Sequence, residues 1–187
     1  MTVRNTSRSW GAVTKFLHWV IVLLIISQWV IMQRAEALEE EKKLSQLAEA
    51  IGWHKSFGMT ILMLAIVRLV WRWANPVPTL EGLAKGWERA LAKLSHFLLY
   101  ALIFAMPLSG WLMSSARGFS VSWFKFFTWP DLVSRDTALY ERLKDLHHTL
   151  FAVLVVVAAL HIAGALKHHF IDRNNVLRRM LPFGGNE

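Results

Sequence analysis

The run from Leu146 to His169, LHHTLFAVLVVVAALHIAGALKHH, constrains the fold more than any other part of the chain. It is apolar for the ~20 residues a helix needs to cross a bilayer core, yet it carries histidines inside it. His147 and His161 are fourteen residues apart. At 3.6 residues per turn, fourteen steps fall about 40° short of four full turns, so the two side chains lie on nearly one face, about 21 Å apart along the axis. His168 continues the same stripe seven residues further on. An imidazole inside a membrane helix is costly and reads as functional. Two on one face at two depths imply two buried cofactors stacked across a membrane.

The rest of the chain fits such a helix. The apolar fraction is 55% and the aromatic fraction 12%, with ten tryptophans and eleven phenylalanines, a composition suited to a membrane protein with interfacial aromatic belts. There is no cysteine, which excludes disulfides, iron–sulfur ligation and thioether-attached haem. The net charge of +8 collects at the ends of the apolar segments, as membrane topology requires, so nucleic acid is not the expected partner. The first apolar run follows basic residues without a small-residue cleavage site, and reads as a retained helix.

Four spans are predicted, at about residues 14–34, 51–73, 92–114 and 146–168. The segment from Arg34 to Ala50 is acidic and expected to be helical in part. Asn75, Pro76 and Pro78 end the second span, and Pro107 with Gly110 predicts a kink in the third. Twelve of the 21 lysines and arginines fall on segments that this topology puts inside, so both termini are expected to be cytoplasmic. The aromatic run SVSWFKFFTWP is expected to lie in the outer interface as an anchor, in the form of a short covering helix.

This topology sorts the histidines by depth. His54 and His147 fall near the outer side, His18 and His161 toward the inner side, and each pair joins two different helices, as a bundle-core site requires. Two imidazoles on opposite faces of a b-type haem saturate its iron and suit electron transfer rather than oxygen activation. Zinc or copper would favour tighter clusters with carboxylates or thiolates. A proton or ion conductor is disfavoured because no Asp or Glu lies inside any span. His148 competes with its neighbour His147, which aligns better with His161. His96 and His169 are left without a role. His168, Arg68, Arg72 and Trp71 are expected to contact a quinone or a haem propionate, since guanidinium suits carboxylates.

FLHW around His18, HKSFG around His54, VRLVWRWANPVP, SHFLLY, MPLSGW with the ARG after it, LHHTLF and ALHIAGALKHHF with NNVLRRMLP together resemble the bacterial cytochrome b561 family. The likeness covers about Ser9 to Pro182. Where family members often carry tryptophan, histidine and glutamate, this chain has Leu146, His147 and His148. The resemblance implies an all-α, integral membrane four-helix bundle enclosing two b-type haems, with residues 1–187 as one transmembrane cytochrome b domain. It places the axial ligands at His18, His54, His147 and His161. It implies a multi-pass protein of the bacterial inner membrane and an oxidoreductase passing electrons between periplasmic superoxide and ubiquinone in the manner of superoxide oxidase. Lys55, Arg117, Lys125, Arg135 and Lys144 would then attract the anionic substrate. The alternative is a haem-bearing membrane anchor that relays electrons from a periplasmic dehydrogenase or hydrogenase to quinone.

Overall fold

The computed structural model describes residues 2–79 and 84–182. Helices α1 (Ala12–Glu40), α2 (Leu44–Trp73), α3 (Gly86–Arg117) and α4 (Thr137–Phe170) are joined, between α3 and α4, by a hairpin of strands β1 (Val121–Trp123) and β2 (Phe127–Trp129). The protein is all-α apart from that hairpin. All four helices are long and apolar enough to cross a membrane, with mean hydropathy of 1.9, 1.4, 1.7 and 2.4 over their most apolar stretches. Much of this apolar surface faces outward, as at Leu23, Ile26 and Val30 of α1 and Val155, Val156 and Leu160 of α4. Lipid makes such exposure favourable, so these faces need no protein partner.

Each expected span lies inside one helix, but the helices overrun the spans. α4 starts at Thr137, where Asp136 caps it by accepting the Leu139 N–H at 3.0 Å. α3 starts with the Glu88 carboxylate accepting the Lys85 N–H at 2.8 Å. The acidic segment is almost wholly helical, broken only between Glu40 and Leu44. There Lys42 takes a left-handed φ of 56° and the Lys43 N–H closes onto the Leu38 carbonyl at 2.9 Å. α3 runs through Pro107.

The aromatic stretch departs from the expected short helix. It is a β-hairpin with Val121 opposite Trp129, Ser122 opposite Thr128 and Trp123 opposite Phe127. Its turn is closed by the Phe126 N–H on the Trp123 carbonyl at 2.9 Å, with φ of 47° at Phe124 and 63° at Lys125. A left-handed φ at two successive positions is normally the province of Gly or Asn. The conformation is imposed from outside. The Ser56 hydroxyl of α2 accepts the Phe124 N–H at 3.0 Å and lies 3.1 Å from the Ser122 carbonyl, while the Trp123 indole N–H donates to Thr60 Oγ1 at 3.1 Å.

The chain divides into two compact units, and every helix contributes one segment to each. One unit comprises residues 2–20, 65–102 and the part of 153–187 that is described. Its organising residue is Asn5, whose Oδ1 accepts from the Gly11 N–H at 2.9 Å and from Thr14 Oγ1 at 2.7 Å, while its Nδ2 donates to the Pro76 carbonyl at 3.0 Å. Gly11 permits this loop, because a Cβ there would collide with the Val3 and Arg4 carbonyls. Trp19 donates to the Met180 carbonyl at 2.9 Å and ties down the tail. The other unit comprises residues 21–64 and 103–152. Its core is Met59, Leu62 and Val121, packed by Phe104, Trp111, Trp123 and Trp129.

Candidate functional site

In the unit of residues 21–64 and 103–152, α2 and α4 bring His54 and His147 together. Their ring centres are 6.3 Å apart and their planes 77° from parallel. A metal–imidazole bond is ~2.0–2.1 Å and a ring centre lies ~1.1 Å behind its nitrogen, so imidazoles on opposite sides of one metal have centres ~6 Å apart. The observed spacing fits two trans ligands of one iron.

The chemistry around His147 fits as well. Ser109 Oγ donates to the Met106 carbonyl at 2.9 Å, which leaves its oxygen to accept from His147 Nδ1 at 2.8 Å. That sets the proton on Nδ1 and leaves Nε2 free to ligate, the usual role of a second partner on a metal-binding imidazole. Gly110, the next residue, gives the ring room: a Cβ there would stand 3.2 Å from His147 Cε1. Pro107 lies two residues before Ser109 in the same helix, where its missing N–H leaves the Ile103 carbonyl without its helical donor. His148 is exposed, so His147 is the residue of the pair that faces His54. Gln28 Nε2 donates to the His54 carbonyl at 2.9 Å and fixes α1 against α2.

Two cations of this unit flank one ring. Lys55 Nζ lies 5.8 Å and Arg117 Cζ 5.6 Å from the centre of Phe119, and Arg117 also donates to the Tyr140 hydroxyl at 3.0 Å. Lys125 is exposed at the hairpin turn, beside Phe126, which is 80% exposed.

The other unit holds five histidines, and three of them, His18, His96 and His161, lie within electrostatic range of one another. His161 meets His96, with ring centres 5.0 Å apart at 74°, too close for a metal bridging them in line by the same measure. His96 Nδ1 sits 2.6 Å from the Ala92 carbonyl, so its proton is held there and Nε2 is the free nitrogen. His18 lies in electrostatic range of Arg68, His161 and His96. His96 had no role in the sequence reading. Its signal was a stripe on α3 at helical spacing: His96, Tyr100, Ile103, Pro107 and Gly110.

Arg68 and Arg72 stack over Tyr100, with guanidinium carbons 5.9 and 5.6 Å from the ring centre. Arg68 donates to the Thr14 carbonyl at 3.0 Å and Trp71 to Thr14 Oγ1 at 3.1 Å. Among the described residues no carboxylate forms an ion pair with either arginine. A pocket of about 10 Å³ opens between Asn5, Thr14, Tyr100 and the two arginines, room for about one water.

His168 stands apart from that cluster, in an ion-pair network at the junction of α3 and α4. Lys167 Nζ reaches Glu88 Oε1 at 2.6 Å and Asp172 Oδ2 at 2.8 Å, and the buried His168 holds Asp172 Oδ2 at 2.8 Å through Nδ1. The Lys167 ammonium holds the Asp172 carboxyl below its ordinary value, with partial burial opposing. Glu88, His168 and Asp172 converge closely enough to bind a cation, but Lys167 already supplies the positive charge.

Comparison with known proteins agrees with these features. The profile of the prokaryotic cytochrome b561 family matches residues 9–183. Cytochrome b561 homolog 2 of Escherichia coli strain K12 is 30% identical over 181 residues, covering 97% of this chain and 95% of its own. The probable superoxide oxidase CybB of Yersinia pestis is 29% identical over 168 residues, covering 89% and 92% of the two chains. Cytochrome b561 homolog 1 of Escherichia coli strain K12 is 26% identical over 167 residues, covering 89% and 93%.

Proposed function

The chain belongs to the prokaryotic cytochrome b561 family, whose members bind b-type haem, and from that premise we propose that it is a di-haem membrane oxidoreductase that passes electrons from periplasmic superoxide to ubiquinone. Its coarser role, membrane electron transfer, follows from the family. The observation that supports haem-based electron transfer in this chain is the 6.3 Å facing of His54 and His147 on different helices. A haem held by two imidazoles would supply a one-electron couple suited to electron transfer.

The residues take the following roles. His54 and His147 hold one haem, with Ser109 fixing the His147 tautomer. His18 and His161 hold the second, and His96 packs on His161. Arg68 and Arg72 meet the propionates of the second haem. A buried guanidinium needs an anion, the described residues provide none, and Arg68 also lies within electrostatic range of His18 and His161. The water-sized opening beside the arginines favours this over a quinone there. Trp71, bonded to Thr14, positions the N-terminal loop. His168 remains the candidate quinone contact, its ring oriented by Asp172 through Nδ1. Lys55, Arg117 and Lys125 draw the anionic substrate. The electron count closes with two superoxide anions oxidised to dioxygen for each ubiquinone that takes two electrons and two protons. The whole chain forms one transmembrane domain with both termini cytoplasmic.

The relative named as a probable superoxide oxidase supports the choice of donor. The exposed Phe126 at the hairpin tip supports a second reading, an anchor docking a periplasmic dehydrogenase or hydrogenase. One experiment separates them. Purified protein is titrated for haem stoichiometry, then given enzymatically generated superoxide with excess ubiquinone. Two haems per chain, superoxide-dependent b-type α-band reduction and quinol formation are expected. Absence of an α-band ends both readings, and haem that superoxide leaves oxidised ends the first. His147→Ala and His161→Ala are expected to lose different haems; loss of the same haem from both refutes the pairing.

A further inference from the structure

We propose that the chain segment leaving α4 forms a binding site for the phosphate group of an anionic phospholipid. Beyond Phe170 the backbone turns back and encloses an open groove of about 490 Å³, lined by His169, Phe170, Arg173, Asn174, Asn175 and Arg178. None of these residues takes part in the proposed electron path.

The groove is built rather than frayed. The Ile171 and Asp172 N–H groups close α4 onto the Lys167 carbonyl at 2.9 and 3.1 Å, and the Asn174 N–H returns to the His168 carbonyl at 3.0 Å. Arg173 takes a left-handed φ of 51° to make this turn, a conformation that costs a non-glycine residue about 1 kcal/mol. The Val176 N–H is held by Asn174 Oδ1 at 3.1 Å, and the Arg179 N–H by the Asn175 carbonyl at 3.0 Å. Arg173 and Arg178 are thereby brought to one opening from positions five residues apart.

The charge at that opening is uncompensated. Asp172, the carboxylate nearest in sequence, is engaged by Lys167 and His168. Among the described residues neither Arg173 nor Arg178 forms an ion pair. Two guanidinium groups with a histidine beside them suit a phosphate oxyanion. The apolar flank selects the source of that phosphate. Phe170 is 67% and Ile171 73% exposed, at the end of a helix that crosses the membrane, which is where the glycerol and first acyl carbons below a headgroup would lie. Basic pockets at this level are the usual recognition sites for anionic lipids.

The test compares wild-type haem-loaded protein with Arg173→Gln/Arg178→Gln, and with Arg4→Gln/Arg8→Gln as a control that removes two exposed charges elsewhere in the same unit. Each is purified from membranes and checked for an unchanged b-type absorption spectrum. Each is then titrated in detergent with phosphatidylglycerol, and native mass spectrometry counts the bound lipid. Phosphatidylcholine and inorganic phosphate are titrated in parallel. The wild type and the control are expected to retain phosphatidylglycerol. The groove variant is expected to bind it about tenfold or more weakly, at ~1 kcal/mol for each basic residue near the surface. Equal binding by the groove variant, or equal weakening of the control, overturns the proposal. Tight retention of inorganic phosphate that phosphatidylglycerol does not displace assigns the groove to a soluble phosphate and overturns the lipid assignment. A groove variant that loses its haem spectrum is replaced by Arg178→Gln alone, judged by the same readout.

Discussion

Gly110→Ala isolates the fit between α3 and His147. The added Cβ would lie 3.2 Å from Cε1, 3.6 Å from Nδ1 and 4.0 Å from Nε2 of the ring. Carbon–carbon contacts are most favourable at ~3.5–4.0 Å, so the ring must yield by roughly 0.3–0.8 Å. Ser109 holds the same ring at 2.8 Å from an adjacent position on the helix, and a shift of that size strains or breaks the bond. Its loss costs ~0.5–1.5 kcal/mol, whereas replacing a mid-helix glycine by alanine gains about 1 kcal/mol. The two nearly cancel, so thermal stability in detergent stays within a few degrees of the wild type. The ligand geometry does not cancel. Low-temperature electron paramagnetic resonance of the oxidised protein is expected to show one low-spin ferric signal shifted or lost and the other unchanged. A potentiometric titration should move one of two midpoints. Two unchanged signals would mean that the ring is not clamped between Ser109 and Gly110. Equal disturbance of both would mean that Gly110 serves folding rather than His147.

Three further outcomes follow from the geometry. Ser56→Ala removes the acceptor of the half-buried Phe124 N–H and should cost ~0.5–1.5 kcal/mol; hydrogen exchange should speed up across residues 121–129 while the rest of α2 keeps its protection. Lys125→Gly relieves a left-handed residue at φ 63° and should stabilise by about 0.5–1 kcal/mol, seen as a higher melting temperature with an unchanged absorption spectrum. Asp172 titrates below its ordinary value of 3.8 because of Lys167, so its stabilising pair is fully formed above that value and is lost as pH falls through the lower folded one. Lys167→Met should therefore lower the melting temperature at neutral pH and flatten its fall on acidification; a parallel curve for the two proteins would remove Lys167 as the cause.

The four helices were legible because length and apolarity alone decide a membrane span, and lipid relieves each helix of the need for an amphipathic face. The His54–His147 contact was legible for a related reason: topology fixes depth, and depth leaves few partners. The placement of His96 was not. Depth put it near the inner histidines, but its contact with His161 depends on the rotation of α3, which packing around Tyr100 and Pro107 sets. The hairpin was hidden for a different cause. Phe124 and Lys125 are not residues that favour a left-handed φ, and the residue that overrides them, Ser56, lies 68 positions from Phe124. Ser109 reads in sequence as an ordinary small residue after a proline. Only the contact with His147 reveals that its hydroxyl sets a tautomer.

The distribution of charge bears on the direction of electron flow. A centre that accepts an electron gains negative charge, so neighbouring cations favour its reduced state. In the unit of His18, His96 and His161, Arg68 and Arg72 place two positive charges beside the imidazoles, held in a polar cluster by Thr14 and stacked on Tyr100. Near His54 the cation is Lys55, which shares the Phe119 ring with Arg117. These engage an aromatic ring near the hairpin, where Lys125 is exposed, and suit the approach of an anion better than the long-term holding of an electron. Under the proposed function, an anionic donor would therefore be favoured at the unit of Lys55, Arg117 and exposed Lys125.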